Sequence, residues 1–211
     1  QGSFSVVDVR NNSNITNIRH KSCESININD NFVKRCILGS MRIQRFFYTA
    51  TQLQSEQFTK VEQALPFTQS DRITWLDLDG RLSEADFAVL AKTLDLHPLE
   101  VEGLIRKRQR PRIDYFTTHV TTSLKMLRVG SKEYLFQSES VTIIVGSNYV
   151  VTIQAGKIGD VFSSIRDELT NPQSRLRTLG SDYLLYRLLA NVVNNYFLVL
   201  EKIDEQVEQL E

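Results

Sequence analysis

One helical pattern occupies the end of the chain and limits what the rest can be. From Leu189 onward the apolar residues fall at Leu189, Val193, Tyr196, Leu200, Ile203, Val207 and Leu210, with spacings that alternate four and three. This is the heptad signature of a helix that packs along a seam. Between Tyr183 and Val199 apolar side chains appear on nearly every face, as in a helix held inside a domain. After that only the stripe Leu200, Ile203, Val207 and Leu210 remains, flanked by Glu201, Asp204, Glu205, Glu208 and Glu211. A helix with these two regimes leaves its domain and carries a partner-facing seam. No Gly, Asn or Pro closes the pattern, so the helix is expected to run past Glu211, cut at a chosen boundary.

The remainder has the makings of one sizeable core. The chain has 211 residues, 41% of them hydrophobic and 24% charged, with a net charge of zero. A neutral chain is a poor electrostatic trap for nucleic acid, and no nucleic-acid partner is expected. The dense basic group Arg106, Lys107, Arg108, Arg110 and Arg112 reads as a solvated charge run. Cys23 and Cys36, near His20, are too few for a zinc site or a disulfide framework and fit reduced thiols. The most apolar stretch, 141–153, is broken by Gly146-Ser147-Asn148 and is too short to span a membrane, so this chain is expected to be soluble. Gln1-Gly2-Ser3 matches the scar of a removed tag, which leaves 4–180 as the domain and 181–211 as the start of the long helix.

Within 4–40 a strand-like run over 4–9 precedes an Asn/Ser/Ile-rich stretch of loop and edge-strand character. A strand is predicted over 41–48 and a short helix over 55–64, closed by Pro66. Residues 73–79 alternate at period two until Gly80, and Ser83 opens the next helix with an N-cap hydroxyl and an acidic first turn. Pro98 starts another helix, to about residue 107, with Gly103 inside it. Residues 113–129 read as one extended strand, and 140–145 with 149–154 as a hairpin. Asp160 is expected to cap a helix that Asn171-Pro172 ends. This order predicts an α+β fold, a sheet covered by helices rather than a strict βαβ repeat.

No catalytic constellation accompanies His20, His97 or His119, and no enzyme is expected. His97, before Pro98, fits a helix-entry residue that hydrogen-bonds locally. Asp77 and Asp79 share one face of their strand, a spacing able to hold a cation; a solvated edge and a turn residue is the plainer reading.

Six blocks, Thr74-Trp-Leu-Asp-Leu-Asp-Gly80, Leu96-His-Pro-Leu-Glu-Val-Glu102, Arg108-Gln-Arg-Pro-Arg-Ile-Asp-Tyr-Phe116, Lys157-Ile-Gly-Asp-Val-Phe162, Asp182-Tyr-Leu-Leu-Tyr186 and Asn195-Tyr-Phe-Leu-Val-Leu-Glu-Lys-Ile-Asp204, occur in order. Together they resemble the cytosolic domain of the CorA family of divalent-cation channels, over about residues 41–211. The resemblance implies an α/β/α sandwich with a mixed, largely antiparallel sheet, followed by a stalk helix that continues into two transmembrane helices. It implies five identical subunits in a funnel on the cytoplasmic face of the inner membrane, a pore for Mg2+ or Co2+, and Mg2+ sensing by carboxylates between subunits. Carried over residue by residue, the sensor has Glu102 at its first acidic position and Gly103 at its second. The stalk face that supplies further carboxylates reads Ala190, Asn194 and Asn195. Glu102 is thus the one named metal ligand, and Mg2+ binding by this chain is expected to be weak or absent. The zinc-transporting branch of the same superfamily is the alternative, with Zn2+ as its ion. Outside the family stands a soluble regulatory module that dimerises through its last helix.

Overall fold

The structure is a computed structural model that describes residues 41–65, 71–105, 110–129, 136–156 and 160–209. The expected strand over 4–9, His20, Cys23, Cys36, Pro66, Arg106, Lys107, Arg108, the start of the Lys157 block and Leu210 lie outside them. Residues 41–211 form one compact unit.

Seven strands make one mixed sheet: β1 (Arg42–Tyr48), β2 (Leu53–Phe58), β3 (Ile73–Asp79), β4 (Arg112–Tyr115), β5 (His119–Val129), β6 (Phe136–Gly146) and β7 (Tyr149–Gln154), in the order β2-β1-β3-β7-β6-β5-β4. Every neighbouring pair is antiparallel except β3 with β7. The central β3 is buried along nearly its whole length, while β2 and β4 are exposed edges. Period-two alternation sends side chains to two faces. Ile43, Leu76, Leu78, Ile144 and Val151 pack under α1 (Glu84–Leu94) and α2 (Pro98–Ile105). Phe46, Tyr48, Trp75, Ile143 and Val150 pack under α3 (Ser163–Thr170), α4 (Arg175–Thr178) and α5 (Ser181–Glu208). Helices on both faces of a largely antiparallel sheet make the α/β/α sandwich that the family resemblance implied, and the α+β class that the order of elements predicted.

Local chemistry explains the joins. Gly80 ends β3 at φ 145°, a region that favours glycine, and a Cβ there would approach Met41 Cα to 2.7 Å. Ser83 then caps α1 in a capping box with Asp86: Ser83 Oγ accepts from Asp86 N–H at 3.2 Å, and Asp86 Oδ2 accepts from Ser83 N–H at 2.9 Å. At the other end of the sheet, Ser181 Oγ donates to the carbonyls of Gly146 and Ser147 at 2.8 and 3.1 Å, tying the start of α5 to the β6–β7 turn.

Three predicted elements differ from the structure. Residues 53–58 form a strand in place of the start of a helix over 55–64, leaving only a 3-10 turn at Val61–Ala64. A turn closed by Thr49 N–H to the Gln52 carbonyl, 2.9 Å, folds β2 back onto β1, and sheet pairing there overrides helix propensity. The single strand over 113–129 is two, because Phe116 N–H reaches the His119 carbonyl at 2.9 Å and β4 doubles back on β5. Asp160 does not cap α3, whose N-cap is Phe162; its carboxylate is drawn into an ion-pair network instead.

Candidate functional site

That network sits at the centre of the sheet. The alternation of β3 puts Asp77 and Asp79 on the Trp75 face, and both are fully buried (0% exposed), which corrects the reading of a solvated edge and a turn residue. Asp77 accepts from Thr152 Oγ1 at 2.7 Å, Gln154 Nε2 at 3.2 Å, Arg166 Nη1 at 2.6 Å and Arg42 Nη2 at 3.1 Å. Trp75 Nε1 donates to the same Thr152 hydroxyl at 3.0 Å. Arg42 also pairs with Asp79 at 3.2 Å, and Asp160 pairs with both Arg42 and Arg166. Burial alone would raise the Asp160 carboxyl, but the two guanidinium groups hold it below its ordinary value. Burial alone would lower Arg42; its hydrogen bond to Asp160 and the surrounding carboxylates more than reverse this and raise it. Here the carboxylates are satisfied by arginine and hydroxyl donors, and the network joins β1, β3, β7 and α3.

The helix α2 is placed by a second buried pair. Glu100, 3% exposed in its first turn, accepts from His119 Nε2 at 3.1 Å to both oxygens and from the Thr121 hydroxyl. Phe116 stacks on the His119 ring at 4.7 Å. His97 does what a helix-entry residue does, its Nδ1 accepting from Leu99 N–H at 3.2 Å. Anchored in this way, α2 turns Glu102 toward solvent and buries Gly103. The space a Cβ at residue 103 would take is filled by the Arg112 guanidinium, which pairs with Asp114 at 2.9 Å. Beside the position where the resemblance calls for a second carboxylate, the protein places an arginine already paired with an aspartate.

On α5, Ala190 and Asn195 are half-buried and Asn194 is exposed; Asn195 Nδ2 donates to the Asn191 carbonyl at 2.9 Å. Because α2 and α5 cover opposite faces of the sheet, one chain does not bring Glu102 together with Ala190, Asn194 or Asn195. Among the described residues no group of three or more His, Cys, Asp or Glu is placed to hold a metal ion.

The seam divides in two. Ser181, Leu184, Leu188, Val192 and Val199 face the sheet and are buried, and the Tyr196 hydroxyl donates to the Lys125 carbonyl. Ile203 is half-buried, whereas Leu200 and Val207 are 58% and 51% exposed. The sequence reading missed Tyr186, Phe197 and Leu198, which are also exposed. Tyr186 and Phe197, with Val193, extend the outward stripe back along the domain, while Leu198, one residue on from Phe197, lies off it; the run Tyr186, Val193, Leu200, Val207, one residue per heptad, was the available signal. Leu99 and Ile105 are also exposed on α2, as are Ile113 and Tyr115 on β4; by their pairing with Thr122 and Val120, the two β4 side chains are on the α5 side of the sheet, away from α2. Among the described residues no helix is long and apolar enough to cross a membrane.

Comparison with known proteins agrees with this architecture. The soluble domain of CorA from Methanocaldococcus jannaschii superposes with a TM-score of 0.58 at 15% identity, covering 79% of this chain and 62% of that one. The ZntB cytoplasmic domain from Vibrio parahaemolyticus gives 0.62 at 14% identity, covering 82% and 66%. At these identities the likeness is one of fold. In sequence, the cobalt/magnesium transport protein CorA of Thermotoga maritima is 33% identical over 164 residues, 78% of this chain and 46% of that relative, so the chain spans less than half its length. The family model described as CorA-like Mg2+ transporter protein matches residues 70–211, and the chain therefore belongs to the CorA-like Mg2+ transporter family.

Proposed function

We propose that this chain is the cytosolic regulatory and funnel domain of a CorA-type channel that carries Mg2+, and Co2+ as well, across the inner membrane, with the membrane-spanning segments supplied by the rest of the protein. The observation that carries the reading is the outward apolar stripe of α5, on a chain 33% identical to a relative named a cobalt/magnesium transport protein. Its proposed unlike partner is the exposed apolar surface of α2, with Leu99 and Ile105, on the opposite side of the sheet. Two different patches on one chain make head-to-tail contacts, which close into a ring when the rotation allows, and a homopentamer is the ring proposed. In such a ring α2 of one subunit meets α5 of the next, and Glu102 becomes a ligand, through retained waters, of a weak Mg2+ site.

The test is ion entry into proteoliposomes holding the full-length protein, followed with indicators for Mg2+, Co2+ and Zn2+. Mg2+ entry supports the proposal. Entry of Zn2+ alone would move the protein to the zinc-transporting branch, and no divalent entry at all would overturn the reading.

A further inference from the structure

On the α1/α2 side of the sheet the apolar packing is not continuous. The β3–α1 turn, the end of α2 and the strands β5, β6 and β7 enclose a cleft of about 530 Å3, within the size range of small-molecule sites. Its two sides differ in chemistry. Leu82, Phe87, Leu104 and Ile153 make an apolar wall. The floor is polar, because strand alternation brings Lys125, Ser138, Ser140 and Thr142 to this face. Glu139 also borders the cleft, but the same alternation sends its side chain with Val141 and Ile143 to the α5 face.

Lys125 is the distinctive group. Its side chain is half-buried, and Nζ donates to Ser140 Oγ at 2.7 Å. Among the described residues no carboxylate pairs with it. An ammonium has three donors, so one hydroxyl leaves most of its hydrogen-bonding capacity unused; Arg81 and Glu84 also line the cleft, and neither is in ion-pair contact with Lys125. Ser140 Oγ, as the acceptor of that bond, keeps its own hydrogen to donate. A partly desolvated cation beside hydroxyl donors favours an anion, through charge-assisted hydrogen bonds, and the facing wall favours an apolar body.

We propose that this cleft binds a small amphipathic anion. Its carboxylate or phosphate sits on Lys125 Nζ and the hydroxyls of Ser140 and Ser138, and its apolar body lies against Leu82, Phe87, Leu104 and Ile153. The site is separate from the cation face and does not depend on the transport reading.

The experiment is an amide NMR titration of the whole chain with hexyl phosphate and with heptanoate, against hexylammonium and inorganic phosphate. At least one of the two amphipathic anions should bind at millimolar or tighter affinity, shifting Lys125, Ser140 and Ile153, and the tighter of the two identifies the headgroup. Lys125→Met should weaken that binding roughly tenfold or more, while Lys125→Arg should stay within about threefold. Ser138→Trp, made from an exposed position, should block the cleft without unfolding the chain. Equal binding of hexylammonium, affinity unchanged in Lys125→Met, shifts confined to the outward stripe of α5, or no binding of either anion up to about 10 mM would each overturn the proposal.

Discussion

Asp77 shows how one side chain can organise several elements. It sits fully buried between two guanidinium groups, a hydroxyl and an amide, and every donor came from a different strand or helix except Thr152 and Gln154, which share β7. Removing one partner of such a network leaves buried charge without compensation. Asp77→Ala should therefore destabilise the protein by about 3–5 kcal/mol in chemical denaturation, far more than an exposed carboxylate such as Glu84 would. A loss below about 1 kcal/mol would mean that the network relaxes around the gap. Asp160 adds a pH dependence with a definite sign. Its folded pKa lies below the ordinary carboxylate value, so its contribution is complete above that value and is lost as pH falls through the folded one. The stability gap between the parent and Asp160→Asn should be constant from about pH 7 to 5 and should close toward about pH 3; a gap that stays constant to pH 3 would contradict the pairing. The carboxylates were visible in the sequence, but their burial was not. Period two put Asp77 and Asp79 on one face of their strand, which was read as a solvated edge and a turn residue; the partners Arg42 and Arg166 lie far away in sequence and announce themselves only once β1, β3 and α3 are assembled.

At the scale of elements, the legible features were those with local chemistry. The N-cap of Ser83, the break at Gly80, the β6–β7 hairpin and the long periodic α5 all followed from neighbouring residues. What failed depended on partners: β2 is a strand because β1 offers it an edge, and β4 separates from β5 because the Phe116–His119 turn folds it back. The candidate metal face was half legible. Glu102 and Gly103 could be read as positions, but nothing in the sequence said that Arg112 would occupy the space beside Gly103. This changes what a restoring mutation can do. A carboxylate in Gly103→Asp would pair with Arg112 rather than with an ion. Gly103→Asp with Ala190→Asp should thus gain little Mg2+-dependent stabilisation, while adding Arg112→Gln should release it in the assembled protein. The parent itself should show almost none, since a ligand at a concentration equal to its Kd adds only about 0.4 kcal/mol. Melting temperatures in MgCl2 against KCl at matched ionic strength separate binding from screening. A parent that shifts strongly with Mg2+ alone, or a triple variant no better than the double, would show that the sensing face lies elsewhere.

For the whole molecule, the sandwich is complete in one chain while α5 is not. Its inward stripe is used up by β5, β6 and β7, and its outward stripe, Tyr186, Val193, Phe197, Leu200 and Val207, is left to solvent. A contiguous exposed apolar stripe marks an interaction surface. In the proposed ring α5 has two jobs, holding the domain with one face and neighbouring subunits with the other. Phe197→Asp separates them: it should leave the melting temperature of this chain within about 2 °C of the parent, because the residue makes few contacts inside the domain, and yet prevent assembly. The most direct measurement is Mg2+ flux through proteoliposomes of the full-length protein, parent against Phe197→Asp, with the native mass of each recorded. A CorA-type channel assembled through α5 gives flux and a ring-sized assembly for the parent and neither for the variant; flux undiminished in Phe197→Asp, or a parent that assembles but passes no Mg2+, would contradict the proposed function.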